Sequence, residues 1–224
     1  MITLLELFHW SQLLQPQFYI EHGGLWLLLF VVFAETGLFF GFFLPGDSLL
    51  FVAGIYSAPL VSQIFVTDNE WLNLGILFAF ISVAGILGNY IGYAIGKKVG
   101  PAMYDWKDNI LFKKKYLVQA QEFYDKHGGR AIVIARFIPI VRTFAPIVAG
   151  IVAMDKKKFV YFNVVGCLAW VASMLCAGHF LQAWILNQFQ FDLKNHLEVI
   201  VLGIVLVTTL PVIINVISHR SRKS

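Results

Sequence analysis

The chain has 224 residues, of which 58% are hydrophobic and only 13% charged, and its mean hydropathy is +0.73. This composition excludes a water-soluble globular chain and predicts one membrane-embedded domain. The net charge of +4 hides an asymmetry: all 17 Lys and Arg lie at or after Lys97, whereas residues 1–96 hold the acids Glu6, Glu21, Glu35, Asp47, Asp68 and Glu70 and no strong base. That asymmetry speaks of membrane topology rather than of nucleic-acid binding.

Residues 1–24 place leucines and Phe8 near Trp10 and polar neighbours, which predicts an amphipathic segment at an interface. They lack a basic stretch ahead of the apolar one, so no cleavable signal peptide is expected. Residues 25–66 are two apolar runs separated by the turn signature Leu44-Pro45-Gly46-Asp47-Ser48, with Glu35 inside the first run. Two complete crossings and one re-entrant hairpin both fit. The hairpin is preferred, because Glu35 and Asp47 would otherwise meet lipid or the far interface. Residues 57–71 read as a loop, and residues 72–96 as a spanning helix with Gly85, Gly88, Gly92 and Gly96 at helical spacing. That stripe predicts close approach of another backbone.

Residues 97–130 carry Lys97, Lys98, Lys107, Lys113, Lys114, Lys115, Lys126 and Arg130. The positive-inside rule puts this loop in the cytoplasm, with a helix through Tyr124 stopped at Gly128-Gly129. The next stretch, 131–150, is apolar but contains Arg136, Arg142, Pro139 and Pro146. An arginine at the centre of a bilayer costs at least ~2.5–3.5 kcal/mol on insertion scales, and proline removes a helix hydrogen bond. Broken backbone survives at membrane depth only where protein or a wet cavity satisfies it. The stretch therefore reads as a second re-entrant hairpin, broken at Pro139 and Pro146 as the first is at Pro45 and Gly46. Lys156, Lys157 and Lys158 return the chain to the cytoplasmic side, as a hairpin requires. Residues 159–186 then span outward, with Trp170 and Trp184 as packing and interface anchors, His179 as a helix contact, and Cys167 and Cys176 as free thiols. A last helix and basic tail, 197–224, end in the cytoplasm.

A repeat is also legible. Ala34-Glu35 and Pro45 recur as Ala135-Arg136 and Pro146 at an offset of 101, and Asn89-x-x-Gly92 recurs as Asn163-x-x-Gly166 at an offset of 74. Together with hairpins entering from opposite sides, this predicts an all-α integral membrane protein of inverted repeats, each with a re-entrant helical hairpin plus transmembrane helices. Residues 25–186 form its membrane domain.

The ordered motifs Glu35-(x9)-Pro45-Gly46-Asp47, Gly88-Asn89, His127-Gly128, Arg136-Phe137-Ile138-Pro139-(x2)-Arg142 and Ala149-Gly150 resemble those of the DedA family, the bacterial branch of the VTT (SNARE-associated Golgi) membrane proteins. The family's F/Y-x-R-F-x-P-x-x-R core stands here as Ile134 to Arg142, with Ile134 in place of the aromatic. The resemblance covers about residues 25–186. It implies a multi-pass protein of the bacterial inner membrane that recycles polyprenyl (undecaprenyl) phosphate, linked to the proton-motive force and to envelope integrity. Carried over by motif position, the functional residues are Glu35, Asp47, Arg136 and Arg142. Arg136 and Arg142 would bind the anionic lipid headgroup, since the guanidinium fork donates bidentate bonds and stays charged. Glu35 and Asp47 would be exchangeable partners that take up protons. No catalytic residue, metal, cofactor or nucleic-acid partner is expected, and a homo-oligomer stays open. The alternative for the acids and arginines is a pair of fixed ion pairs, Glu35–Arg136 and Asp47–Arg142. Competing functions are a polyprenyl-diphosphate phosphatase, a proton- or sodium-coupled exporter of small cations, a lipid scramblase, and an assembly factor without transport.

Overall fold

The computed structural model describes residues 24–38, 44, 46–105, 121–124 and 126–189. The interfacial segment expected at the start of the chain, Pro45, Lys107, Lys113–Lys115 and the crossing and tail expected at 197–224 lie outside the described residues. Among the described residues all regular structure is helical: α1 Gly24–Gly37, α2 Gly46–Ile55, α3 Ser57–Val61, α4 Glu70–Asp105, α5 Arg130–Ala135, α6 Pro139–Ile151 and α7 Lys156–Phe189. Within α4 and α7, Glu70–Pro101 and Lys156–Phe189 are long and apolar enough to cross a membrane.

Local chemistry sets the starts of these two helices. Asn69 Oδ1 accepts hydrogen bonds from the backbone N–H groups of Trp71 (3.0 Å) and Leu72 (3.2 Å), capping α4. Asp155 Oδ1 accepts from the Lys158 N–H at 2.9 Å and caps α7. Both helices therefore begin two or three residues before hydropathy places them. They also outrun it, because an apolar run marks the part inside lipid and not the end of the helix. Thus α4 continues through Lys97 and Lys98 to Asp105, into what reads as loop. Ser57–Val61, also read as loop, forms the short helix α3.

The chain divides into two compact units. In the first, described over residues 24–28, 46–74 and 174–189, α2 lies against the end of α7. A Cβ on Gly54 would overlap the Leu175 carbonyl, and one on Gly178 the Phe51 carbonyl. Leu25 N–H donates to Gln63 Oε1 at 3.0 Å, and the Trp71 ring sits 6.0 Å from His179 and 5.9 Å from Phe180.

The second unit, described over residues 29–38, 44, 75–105, 121–124 and 126–173, holds the broken segment. Arg136, Phe137 and Ile138 close short turns onto the carbonyls of Val133, Ile134 and Ala135. Ile138 is extended (φ −112°, ψ 107°), as the clash with a following proline ring dictates. Pro139 then opens α6, where its missing N–H has no helical role. The expected second break, at Pro146, is a correction: Pro146 lies inside a continuous α6. It deletes only the one hydrogen bond to the Arg142 carbonyl, and the flanking turns carry the helix through.

The α5–α6 segment doubles back. Ala131 and Ile132, where it enters, share a core with Ala149, where it leaves, and with Tyr93, Tyr124 and Phe159. Tyr93 and Phe159 stack at 4.3 Å. Midway, Arg136 lies beside Gly85 of α4 and Gly166 of α7. Tyr93 to Gly85 along α4, and Phe159 to Trp170 along α7, measure about 12 and 16 Å at ~1.5 Å per residue, which gives the depth of the hairpin. The glycine stripe of α4 serves two neighbours in turn. A side chain at Gly88 would strike Thr36 and the Phe33 carbonyl of α1, and one at Gly96 the backbone of Ile147 in α6.

Candidate functional site

The break before Pro139 decides where the two arginines go. Arg136 ends α5 and passes Gly166 of α7, where a Cβ would stand 3.2 Å from Val133 Cα and at an ordinary contact distance, 3.6 Å, from Arg136 Cδ. Arg142 follows the break, in the first turns of α6, its N–H bonded to the Ile138 carbonyl at 2.9 Å. Both are buried, with Arg136 3% and Arg142 8% exposed, and so is Glu35 of α1 at 2%. Apolar neighbours on the same hairpin face outward: Phe137, Ile138 and Val141 are all exposed. Charge inside and hydrocarbon outside is the pattern of a chain solvated by lipid.

Arg142 Nη2 donates to Glu35 Oε1. Arg136 Nη2 donates to Asn163 Oδ1 of α7 at 2.9 Å, and the same oxygen accepts from Asn89 Nδ2 of α4 at 2.7 Å. Asn163 Nδ2 donates to the Ile86 carbonyl at 3.2 Å, so both ends of its amide are used. With the Asn89 amide turned over, its oxygen accepts from the Arg136 guanidinium and its nitrogen donates to the Thr36 carbonyl at 3.0 Å; either way Asn89 belongs to this cluster. The guanidinium carbons of Arg136 and Arg142 lie 5.5 Å and 5.0 Å from the centroid of one indole ring, that of Trp170, which is fully buried.

Charge is unevenly met. Glu35 forms its ion pair with Arg142, where the fixed-pair alternative expects Arg136. The hydrogen-bond partners of Arg136 are neutral amides, and its Nε is buried without one. A charge-assisted hydrogen bond is worth ~1.5–3 kcal/mol and a desolvated cation–π contact ~2 kcal/mol. Together they are of the size needed to hold an arginine in a membrane, and neither hydrogen-bond partner carries a negative charge. Such a group can take an anion.

Of the other residues read from the sequence, Asp47 is buried in the first turn of α2, in the first unit, and Gly46 opens that helix. Sequence reasoning leaves three contributors unassigned. Asn89 stands out there as a repeat marker and as part of the Gly88-Asn89 motif, Asn163 as a repeat marker, and Trp170 as packing; none is given a role at the site. Their signal is present all the same: Asn163, Gly166, Cys167 and Trp170 are spaced i, i+3, i+4, i+7, one face of a helix.

The VTT domain family matches residues 44–180. The chain is 37% identical over 204 residues to Protein DedA of Escherichia coli, covering 90% of this chain and 87% of that protein. It is 34% identical over 219 residues to an uncharacterized membrane protein of Mycobacterium tuberculosis, covering 95% and 90%. To inner membrane protein YqjA of Escherichia coli it is 32% identical over 162 residues, covering 71% and 68%. No solved structure matches the chain significantly.

Proposed function

The chain belongs to the DedA family of VTT-domain membrane proteins, and from that premise we propose that it moves an anionic lipid carrier, a polyprenyl phosphate such as undecaprenyl phosphate, across the bacterial cytoplasmic membrane. Arg136 and Arg142 bind the phosphate. Glu35 is the carboxylate that exchanges with it, and a proton taken up by the displaced carboxylate links movement to the proton-motive force. The protein is a transporter and not an enzyme on this reading. Its α5–α6 segment is a re-entrant hairpin entered from the cytoplasm, the counterpart of a first hairpin in residues 25–66.

The observation that carries the proposal is the buried arrangement of two guanidiniums with Glu35 on Arg142 and only neutral hydrogen-bond partners on Arg136. A phosphate monoester can bridge both forks, and its arrival would release Glu35. The hairpin's depth of about 12–16 Å supports re-entrancy, because it is roughly half of a ~30 Å hydrocarbon core. The test is purified protein in liposomes, assayed for polyprenyl-phosphate movement with and without a proton gradient. Movement accelerated by the gradient is the expected result. No movement above that of empty liposomes overturns the proposal.

A further inference from the structure

We propose that Trp170 is the positioning residue that presents Arg136 and Arg142 together to one phosphate group, an inference that rests on the phosphate reading above. The two arginines stand on opposite sides of the Pro139 break, and as like charges they repel. Glu35 accepts a hydrogen bond from Arg142, and Asn163 accepts one from Arg136. The Trp170 ring touches both, with the guanidinium carbons 5.5 and 5.0 Å from its centroid.

The chemistry of this contact suits a receptor. A guanidinium has five N–H donors, and a carboxylate partner consumes two of them in the fork that a phosphate needs. A ring face attracts the cation through its quadrupole and consumes none. Trp170 therefore holds both arginines in place and leaves their donors for the ligand. Indole is the strongest of the aromatic faces for this purpose. The ring is itself fixed by burial on the α7 face that carries Asn163 two turns earlier, so both groups acting on Arg136 move as one rigid element.

The experiment replaces Trp170 by mono-, di- and trifluorotryptophan through nonsense suppression in the full chain, with Trp170→Phe and Trp170→Leu alongside. Fluorine drains the ring face of negative charge and changes its shape little. Binding of farnesyl phosphate, a short polyprenyl phosphate, is measured on the detergent-solubilised protein, together with thermal unfolding. The dissociation constant should rise stepwise with each fluorine, about tenfold overall, and unfolding temperatures should fall in the same order, because the contact is already made in the unliganded protein. Trp170→Phe should fall within that range, and Trp170→Leu at or beyond its end. Binding that ignores fluorination, with the unsubstituted protein binding normally, overturns this inference alone, since a merely space-filling tryptophan predicts that outcome. Failure of the unsubstituted protein to bind overturns the phosphate reading and this inference together.

Discussion

At the entrance of the α5–α6 hairpin the contacts join small residues, rings and carbonyls; at its tip they join ions, amides and one indole. The entrance is closed by Ala131, Ile132 and Ala149 against Tyr93, Tyr124 and Phe159, by the Tyr93 hydroxyl donating to the Met154 carbonyl at 2.6 Å, and by α4 glycines with no room for a side chain. Nothing in that set gains from a change of charge. The tip is the reverse: Glu35, Arg136 and Arg142 are buried where each loss or gain of charge must be answered by a neighbour. The contrast teaches a division of labour, in which an apolar entrance fixes the depth of a charged tip whose partners, on the proposed function, exchange. Damage to the entrance should therefore appear as lost stability, and damage to the tip as lost transport.

The largest expected effect belongs to the entrance. Gly96→Leu puts a Cβ onto the Ile147 carbonyl, with Ile147 Cα 3.1 Å away. Backbone cannot yield as a flexible side chain can, so folded protein should be absent from the membrane fraction by size-exclusion chromatography. Gly75, on the same helix, has open space where a Cβ would stand, with no atom within 4 Å, and Gly75→Ala should be neutral or stabilising by up to ~1 kcal/mol. Equal yields of the two variants would erase the distinction between a packed seam and a free face.

Next is the ion pair. Glu35→Ala leaves Arg142 buried without its carboxylate and should destabilise by about 3–5 kcal/mol in denaturant unfolding, whereas Glu35→Gln keeps an acceptor and should lose much less. The pair of variants separates charge from hydrogen bonding. If both unfold like the parent, the tip carries no stability at all and the contrast with the entrance becomes absolute.

Arg136→Lys should do the opposite, leaving unfolding within about 1 kcal/mol and lowering transport at least ~10-fold. An ammonium can still donate to Asn163, but it has neither the planar fork nor the flat face of a guanidinium. Parent-level transport from this variant would defeat the bidentate role of Arg136.

These predictions use both what the sequence made plain and what it withheld. The spanning helices were legible because an apolar run of ~20 residues has few other uses, and the break was legible because Pro139 restricts Ile138 whatever the surroundings. Pro146 misled by the same rule, since one missing hydrogen bond does not break a helix whose next turns are intact. The site's ionisable residues announced themselves, because an arginine among apolar residues needs a reason. Their partners did not. Whether Glu35 meets Arg136 or Arg142 depends on which way α6 leaves the break, and whether Trp170 packs against hydrocarbon or against two cations depends on how the α5–α6 segment lies on α7. Both are facts of three-dimensional approach that spacing along one helix does not contain.

The smallest effect tests the entrance from its polar side. The buried Tyr124 hydroxyl donates to the Ala145 carbonyl at 2.9 Å, and burial pushes its phenol above the ordinary value near 10. The folded protein thus holds this proton more tightly than the unfolded chain does. The stabilisation is fully present below about pH 10, where the unfolded phenol is still neutral, and it is lost as pH rises beyond that toward the folded value. Tyr124→Phe should cost about 0.5–1.5 kcal/mol at pH 7 and flatten the alkaline fall in stability, with transport at pH 7 within about twofold of the parent. Denaturant unfolding of both proteins at pH 7 and pH 11 reads the difference, and subtracting one protein from the other removes the remaining tyrosines. A constant gap at both pH values would mean that the hydroxyl faces water. A large fall in transport without a fall in stability would mean that the entrance takes part in the chemistry of the tip, and the division between them would have to be abandoned.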